Sequence, residues 1–244
     1  MSSGSSPNRA TSPEPGPGLF AKARVLRDKG GFELDVEATF EPGITVVFGP
    51  SGSGKSTLLN VIAGLLRPLR GRVTMGDDVW LDSDRGVEKP VHQRHVAFVF
   101  QSLGLFPHMT GLENVAFGID RALSKQARRA RARESLARFR ASHLADRRPR
   151  TFSGGEGQRV ALARAFAMAP RVMLLDEPFS ALEQSLRAEF APDLKAFASE
   201  LGIPVVHVTH DLAEAIALGD RAMRMQRGRV VAVGAPRETL EGAP

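Results

Sequence analysis

Between Glu41 and Ala63 the rhythm of apolar and polar positions changes twice. Ile44-Thr45-Val46-Val47-Phe48 is a nearly unbroken apolar run. Gly49-Pro50-Ser51-Gly52-Ser53-Gly54-Lys55-Ser56-Thr57 is small and polar, and Leu58-Leu59-Asn60-Val61-Ile62-Ala63 is apolar again. This stretch predicts strand, glycine loop, helix, with Glu41-Pro42-Gly43 as the turn that feeds the strand. Val172-Met173-Leu174-Leu175 and Ile203 to Thr209 are further apolar runs, and Val96-Ala97-Phe98-Val99-Phe100 is a shorter one. Strands apolar on every residue suit a parallel sheet covered on both faces, with ligands at its carboxyl ends. Loose alternation from Leu19 to Val36 predicts two strands joined at Lys29-Gly30-Gly31. A third, weaker pair surrounds Gly71 to Met75 and Val79 to Asp82, turning at Gly76-Asp77-Asp78. A helix over Leu212 to Leu218 and a strand pair within Met223 to Val233 close an α/β domain.

From Thr110 to Arg150 the text is helical and basic, with Lys125, Arg128, Arg129, Arg131, Arg133, Arg138 and Arg140 set among Ala, Leu and Phe. Leu123, Ala127, Ala130, Leu136, Phe139 and Leu144 form a broken apolar stripe, which predicts a small helical insert with one buried face. Before it, Ser102-Leu103-Gly104-Leu105-Phe106-Pro107-His108-Met109 reads as an apolar loop with nothing polar to cover it. Such a loop either meets a partner or folds back on its own core.

Composition narrows the class. With 244 residues, 42% hydrophobic, the chain is long enough for one large domain or two small ones. It contains no cysteine, which excludes disulfides and thiolate metal sites and fits a reducing cytoplasm. No apolar stretch is long enough to span a membrane, and the first residues lack the apolar core of a secretory signal, so the chain is expected to be soluble. Residues 1–18 hold little to bury and are expected to be a disordered tail, leaving 19–244 as one domain. The charge of +6 and pI near 10.4 come largely from arginine and suit an anionic partner or a solvated basic face.

The glycine loop carries the most specific chemistry. Its spacing, G-x-x-x-x-G-K-S, lets backbone N–H groups converge on a polyphosphate, and the following helix adds its positive end. Lys55 is expected to reach the β- and γ-phosphates and the Ser56 hydroxyl to ligate Mg²⁺. At the end of another apolar run, Asp176 is placed to hold Mg²⁺ through a water, and Glu177 to take a proton from an attacking water. Ser153-Gly154-Gly155-Glu156 opens a strong helix, with Ser153 as N-cap and two glycines leaving first-turn N–H groups open to an anion. That makes a second phosphate-binding candidate. Gln101, His207 and His210 alone read as structural strand residues.

In this order and at these separations, the stretches resemble the nucleotide-binding subunit of an ATP-binding cassette (ABC) transporter, over about residues 22 to 240. Gly49 to Thr57 are similar to its Walker A loop, Gln101 to its Q-loop glutamine and Ser153 to Glu156 to its signature. Leu174 to Glu177 are similar to Walker B and His210 to the switch histidine. The resemblance implies a P-loop NTPase core with a mostly parallel sheet, an antiparallel β subdomain and a helical signature subdomain at about 102–168. It implies Glu177 as catalytic base, His210 at the γ-phosphate, and Gln101 sensing Mg²⁺ and water while its loop meets the membrane subunit. It further implies ATP and Mg²⁺ as cofactors and a homodimer in which the signature of one subunit covers the ATP on the Walker A loop of the other. The implied partners are a transmembrane permease and, through it, a substrate-binding protein, at the cytoplasmic face of the inner membrane and with no nucleic acid. Val99 to Thr110 and Gly43-Ile44-Thr45 most resemble importers of the molybdate, sulfate and sugar group, with molybdate the first expectation.

The sequence departs from that pattern. The signature reads Phe152-Ser153-Gly154-Gly155-Glu156 where Leu-Ser-Gly-Gly-Gln is usual, and it is expected to work. Glu183 replaces the usual Asp of the D-loop and is expected to weaken contacts across the dimer. The aromatic that usually stacks on adenine is missing near Leu26 to Gly30, and Phe32 lies later. Many relatives carry a regulatory domain after the cassette, and none follows here, which suggests a shorter relative or another solute.

Overall fold

The computed structural model describes residues 18–27, 31–180 and 184–241, with the backbone alone at 27, 184–186, 188 and 189. The expected tail up to residue 17, the turn residues Lys29 and Gly30, and Glu183 lie outside the described residues.

The element order begins β1 (Leu19–Arg27), β2 (Phe32–Phe40), β3 (Gly43–Phe48), α1 (Lys55–Ala63), β4 (Arg70–Met75), β5 (Asp78–Asp82), β6 (Val87–Glu88) and β7 (Val96–Val99). It continues with α2 (Gly111–Phe117), α3 (Lys125–Arg138), α4 (Gly154–Ala167), β8 (Val172–Asp176), α5 (Gln184–Leu201), β9 (Pro204–Thr209) and α6 (Leu212–Leu218). The last elements are β10 (Arg221–Gln226), β11 (Arg229–Gly234) and α7 (Pro236–Leu240). One sheet runs β11-β10-β3-β9-β8-β7, parallel except where β10 meets β11; the other runs β2-β1-β4-β5-β6 and is antiparallel throughout.

The unbroken apolar strands are explained by two cores, one on each face of the parallel sheet. Val172 and Leu174 of β8, Val206 and Val208 of β9, and Val47 of β3 pack with α1 and the antiparallel sheet. Their alternates Met173, Leu175, Val205, Ile44 and Val46 pack with α4, α5 and the helical segment. Successive strand side chains point to opposite faces, so both sets must be apolar.

Three features differ from the reading of the sequence. In α3 the buried positions are Ala132, Ser135 and Leu136, while Ala127 and Ala130 are exposed and Leu123 precedes the helix at 40% exposure. The face turned inward is the one that α2 and α4 leave room for, and Ser135 is accepted there because its hydroxyl donates to the Ala163 carbonyl at 2.7 Å. The loop after β7 does have polar cover. Asn114 bonds the Phe106 N–H and donates to the carbonyls of Phe106, Met109 and Thr110; Arg164 donates to those of Leu103 and Gly104 and lies over the Phe106 ring. Leu103 and Leu105 fold back onto the core. Finally, α5 has no counterpart in the sequence-based elements.

Arg94, 2% exposed, ties the two sheets to the end of α1. Its guanidinium donates to the carbonyls of Val61 and Ile62 in α1, of Lys89, and of Trp80 in β5. Val61 O also accepts from the Gly64 C-cap N–H at 3.1 Å, whereas Ile62 O belongs to the last helical turn, whose carbonyls lack an i+4 donor. Arg94→Ala strands the Ile62 carbonyl in the core and removes the links to Lys89 and Trp80, and should cost about 3 kcal/mol. Urea unfolding should show a lower midpoint with an unchanged slope.

Candidate functional site

The end of β3 delivers the chain into the loop Gly49 to Gly54, and the geometry there requires glycine at two points. A Cβ on Gly49 would strike the Met225 carbonyl of β10. Gly54, the N-cap of α1, sits at φ 103, a left-handed conformation open to glycine, and a Cβ there would also press on Leu34, Phe32 and Met225. The floor of the loop comes from late in the chain: Gly228, in the turn between β10 and β11, donates to the Ser53 carbonyl at 3.0 Å and accepts from Asp35 N at 2.8 Å.

Lys55 is 5% exposed, and its ammonium bonds the carbonyls of Gly49 at 2.7 Å and Pro50 at 3.0 Å. Burial pushes its pKa down, against the opposing pull of Glu177 and Asp176. The Ser56 hydroxyl donates to Asp176 Oδ1 at 2.9 Å across the sheet edge. Asp176 has its pKa raised, first by burial, with the Ser56 hydrogen bond opposing. Glu177, one residue past β8, adopts φ 47, an unusual conformation for a residue with a side chain. Its N–H bonds the Val208 carbonyl at 3.0 Å, and its Oε2 lies 3.2 Å from His210 Nδ1. His210 is placed by the end of β9 and by Asp211, which caps α6 by accepting from Glu214 N at 3.0 Å and is itself paired with Arg187 at 2.6 Å.

A pocket of about 450 Å³ is lined by Ser51, Gly52, Gly54, Lys55, Ser56, Thr57, Glu177 and Phe32. The expected phosphate-loop residues therefore meet the acidic pair, and His210 joins them through Glu177. Pro50 contributes a carbonyl, and Ser53 is buried with its hydroxyl unpartnered. Phe32 stands on the wall of the pocket although it falls later than the position where an aromatic is usual, because β2 runs directly beside the loop. Only the pairing Gly31-Phe32 at a strand start hints at it in sequence. Gln101 is exposed just beyond β7, outside the lining of this pocket.

Ser153, Gly154, Gly155 and Glu156 also lie outside it. Ser153 caps α4 in a reciprocal capping box: its hydroxyl accepts from Glu156 N at 3.2 Å, and Glu156 Oε2 accepts from Ser153 N at 2.8 Å. Both glycines are inside the helix, whose free N-terminal N–H groups favour an anion. His207 is fully buried, with Nε2 2.5 Å from Glu214 Oε1 and its ring against Phe179, which agrees with a structural role.

The arrangement offers an anion cradle, a cation, and a carboxylate pair. Among the described residues no group of three His, Asp or Glu side chains can hold a metal alone. A divalent ion placed between Ser56 and Asp176 would therefore have to be completed by water or by phosphate oxygens.

The family model for the ABC transporter matches residues 34–180. The chain belongs to the ABC transporter family. It is 45% identical over 219 residues to a molybdenum import ATP-binding protein of Methylococcus capsulatus, covering 89% of this chain and 60% of that protein. It is 42% identical over 197 residues to a trehalose/maltose import ATP-binding protein of Thermococcus litoralis, covering 80% and 53%. The chain thus spans little more than half the length of these relatives. The dimeric structure of a bacterial ABC transporter cassette superposes with TM-score 0.76 at 33% identity, covering 90% of this chain and 99% of that one. That cassette is also known as a post-hydrolysis dimer bound to ADP and Pi. No helix among the described residues is long and apolar enough to cross a membrane.

With its raised pKa, folded Asp176 holds its proton to higher pH than the unfolded chain does. Stability conferred by the nucleotide-free fold should therefore fall as pH rises through that interval. Asp176→Asn, which keeps an acceptor for Ser56, should remove this loss. In chelator, its melting temperature should exceed that of the parent at neutral pH and match it in acid.

Proposed function

We propose that the chain is the ATP-hydrolysing subunit of an ABC importer, working as a homodimer that closes on ATP. The observation that carries this reading is the meeting of Glu177, His210, Asp176 and Ser56 at the mouth of a lysine-bearing glycine loop. In it, the backbone of Gly49 to Thr57 cradles the phosphates, and Lys55 leaves its own loop carbonyls for the β- and γ-phosphate oxygens. Mg²⁺, held by Ser56 and Asp176, would offset phosphate charge when bound, and Gln101, exposed beyond β7, would reach it only if its loop moves in. Glu177 accepts a proton from the water that attacks the γ-phosphorus. The bond from that phosphorus to the β–γ bridging oxygen breaks, leaving ADP and phosphate. His210, beside Glu177, steadies the carboxylate and meets the γ-phosphate. The strained φ of Glu177 fixes its carboxylate before substrate arrives.

Ser153 to Glu156 lie outside the phosphate-loop pocket of their own chain. They serve the ATP of a second copy, so that closure depends on ligand charge met from both sides and loss of phosphate lets the dimer open. A membrane permease would receive that motion at the cytoplasmic face of the membrane, in a groove of about 480 Å³ lined by Met109, Leu112, Ala116 and Phe117 and rimmed by Lys125, Arg128 and Arg129. Phe117 stands 47% exposed there. The import roles of the molybdenum and trehalose/maltose relatives support import, and molybdate is the solute to test first, delivered to the permease by a binding protein.

Glu177→Gln should abolish steady-state phosphate release, a loss of at least about a hundredfold as for a removed general base, while light scattering still shows dimers with ATP. Lys55→Ala should lose nucleotide binding itself, measured by fluorescent ATP titration. Near-normal hydrolysis in the first variant would reject Glu177 as base, and unchanged affinity in the second would reject the phosphate role of Lys55.

A further inference from the structure

Two of the residues in the signature are not the usual ones: a phenylalanine at 152 and a carboxylate at 156. Both touch the same side chain. Arg147, on the turn that leads from the helical segment to α4, donates through Nη1 to Glu156 Oε1 at 3.0 Å and through Nη2 to the Thr151 carbonyl. Its guanidinium carbon lies 5.9 Å from the centre of the Phe152 ring. The same Glu156 oxygen lies 3.1 Å from His143 Nε2. The backbone of Arg147 is fixed in turn, accepting from Gly111 N at 2.9 Å at the start of α2 and donating to the Leu144 carbonyl at 3.1 Å.

This bears on an anion because of where the charge sits. The Glu156 carboxylate lies back over the N-terminal turn of α4 and is bonded to Ser153 N, so it occupies the end of the helix that attracts negative charge. An uncompensated carboxylate there would repel a triphosphate approaching Ser153 and Gly154. A neutral amide in its place would not need a cation. Glu156 has its pKa lowered, chiefly by the Ser153 backbone hydrogen bond, so it is present as the anion.

We propose that Arg147 is a positioning and charge-compensating residue for the signature: it neutralises Glu156 and braces Phe152, so that the N-terminus of α4 can receive the ATP of a second copy of this chain. The inference rests on the dimer reading above. Arg147 never touches that ATP; it acts through Glu156 and the 151–153 backbone. Its stem and ring contact substitute for packing, and its charge substitutes for the missing neutrality of residue 156. Arg147 and Glu156 therefore form one unit, whose members cannot be changed independently.

The test is a double-substitution cycle in full-length protein carrying Glu177→Gln, which slows turnover. Light scattering reads the ATP concentration at which half the chains are dimeric. Arg147→Ala should raise that concentration about tenfold, the scale of one charge-assisted hydrogen bond. On a Glu156→Gln background the same change should shift it by less than about twofold, since no charge is left to compensate. If the alanine protein does not fold, Arg147→Met, which keeps the stem over Phe152, carries the same comparison. Equal shifts on both backgrounds would mean that Arg147 supports only the loop and would overturn the proposal, as would no shift in the first. A parent with intact Arg147 and Glu156 that stays monomeric with ATP would overturn the dimer reading itself, an outcome visible before any change at Arg147 is compared.

Discussion

Backbone hydrogen bonding between β3, β9 and β8 fixes where every chemical group of the site can be. The three strands run parallel in a shared register, with Phe48 opposite Thr209 and Asp176 opposite Val208. Their carboxyl ends therefore lie on one edge of the sheet, and the residues that follow them leave side by side: the glycine loop after β3, His210 after β9 and Glu177 after β8. A parallel sheet needs long crossovers between neighbours. The helices that make these crossovers cover both faces and keep water from the ladder. The site, reaching across the chain from Gly49 to His210, is a consequence of that edge, with the floor of the glycine loop added by the β10–β11 turn.

The same edge explains the electrostatic condition of the site. Lys55 is buried and bonded to carbonyls of its own loop, Asp176 is buried against a serine, and Glu177 holds a conformation that costs energy. Each group is poised at some cost to the fold, which is the usual bargain at a reactive centre. A polyphosphate and its counter-cation would supply the missing partners together.

The sequence makes the central strands legible because both faces of each are buried, leaving uniform apolar runs that few other structures require. The glycine loop is legible because its chemistry is local and fixes spacing. Contacts that depend on how separate elements meet are not. Phe32 becomes a pocket wall only when the antiparallel sheet docks against the loop. The buried face of α3 is chosen by α2 and α4, while its arginines, whose stems can cover apolar surface, blur any stripe. Asn114 and Arg164 seal the loop after β7 from two different helices, so that stretch looks uncovered when read alone. The link from Arg147 to Glu156 spans a single short 3-10 turn at Pro149–Thr151, too short for any periodicity to encode its path.

The floor beneath the glycine loop has a consequence for how the chain matures. Gly49 leans on the carbonyl of Met225, and the turn at Gly228 is wedged between Ser53 and Asp35. During synthesis the loop's own residues leave the ribosome well before the hairpin that shapes them. A nascent chain paused before β10 would possess every letter of the loop and lack its support, so competence to grip a nucleotide is acquired only once β10 and β11 have followed it out.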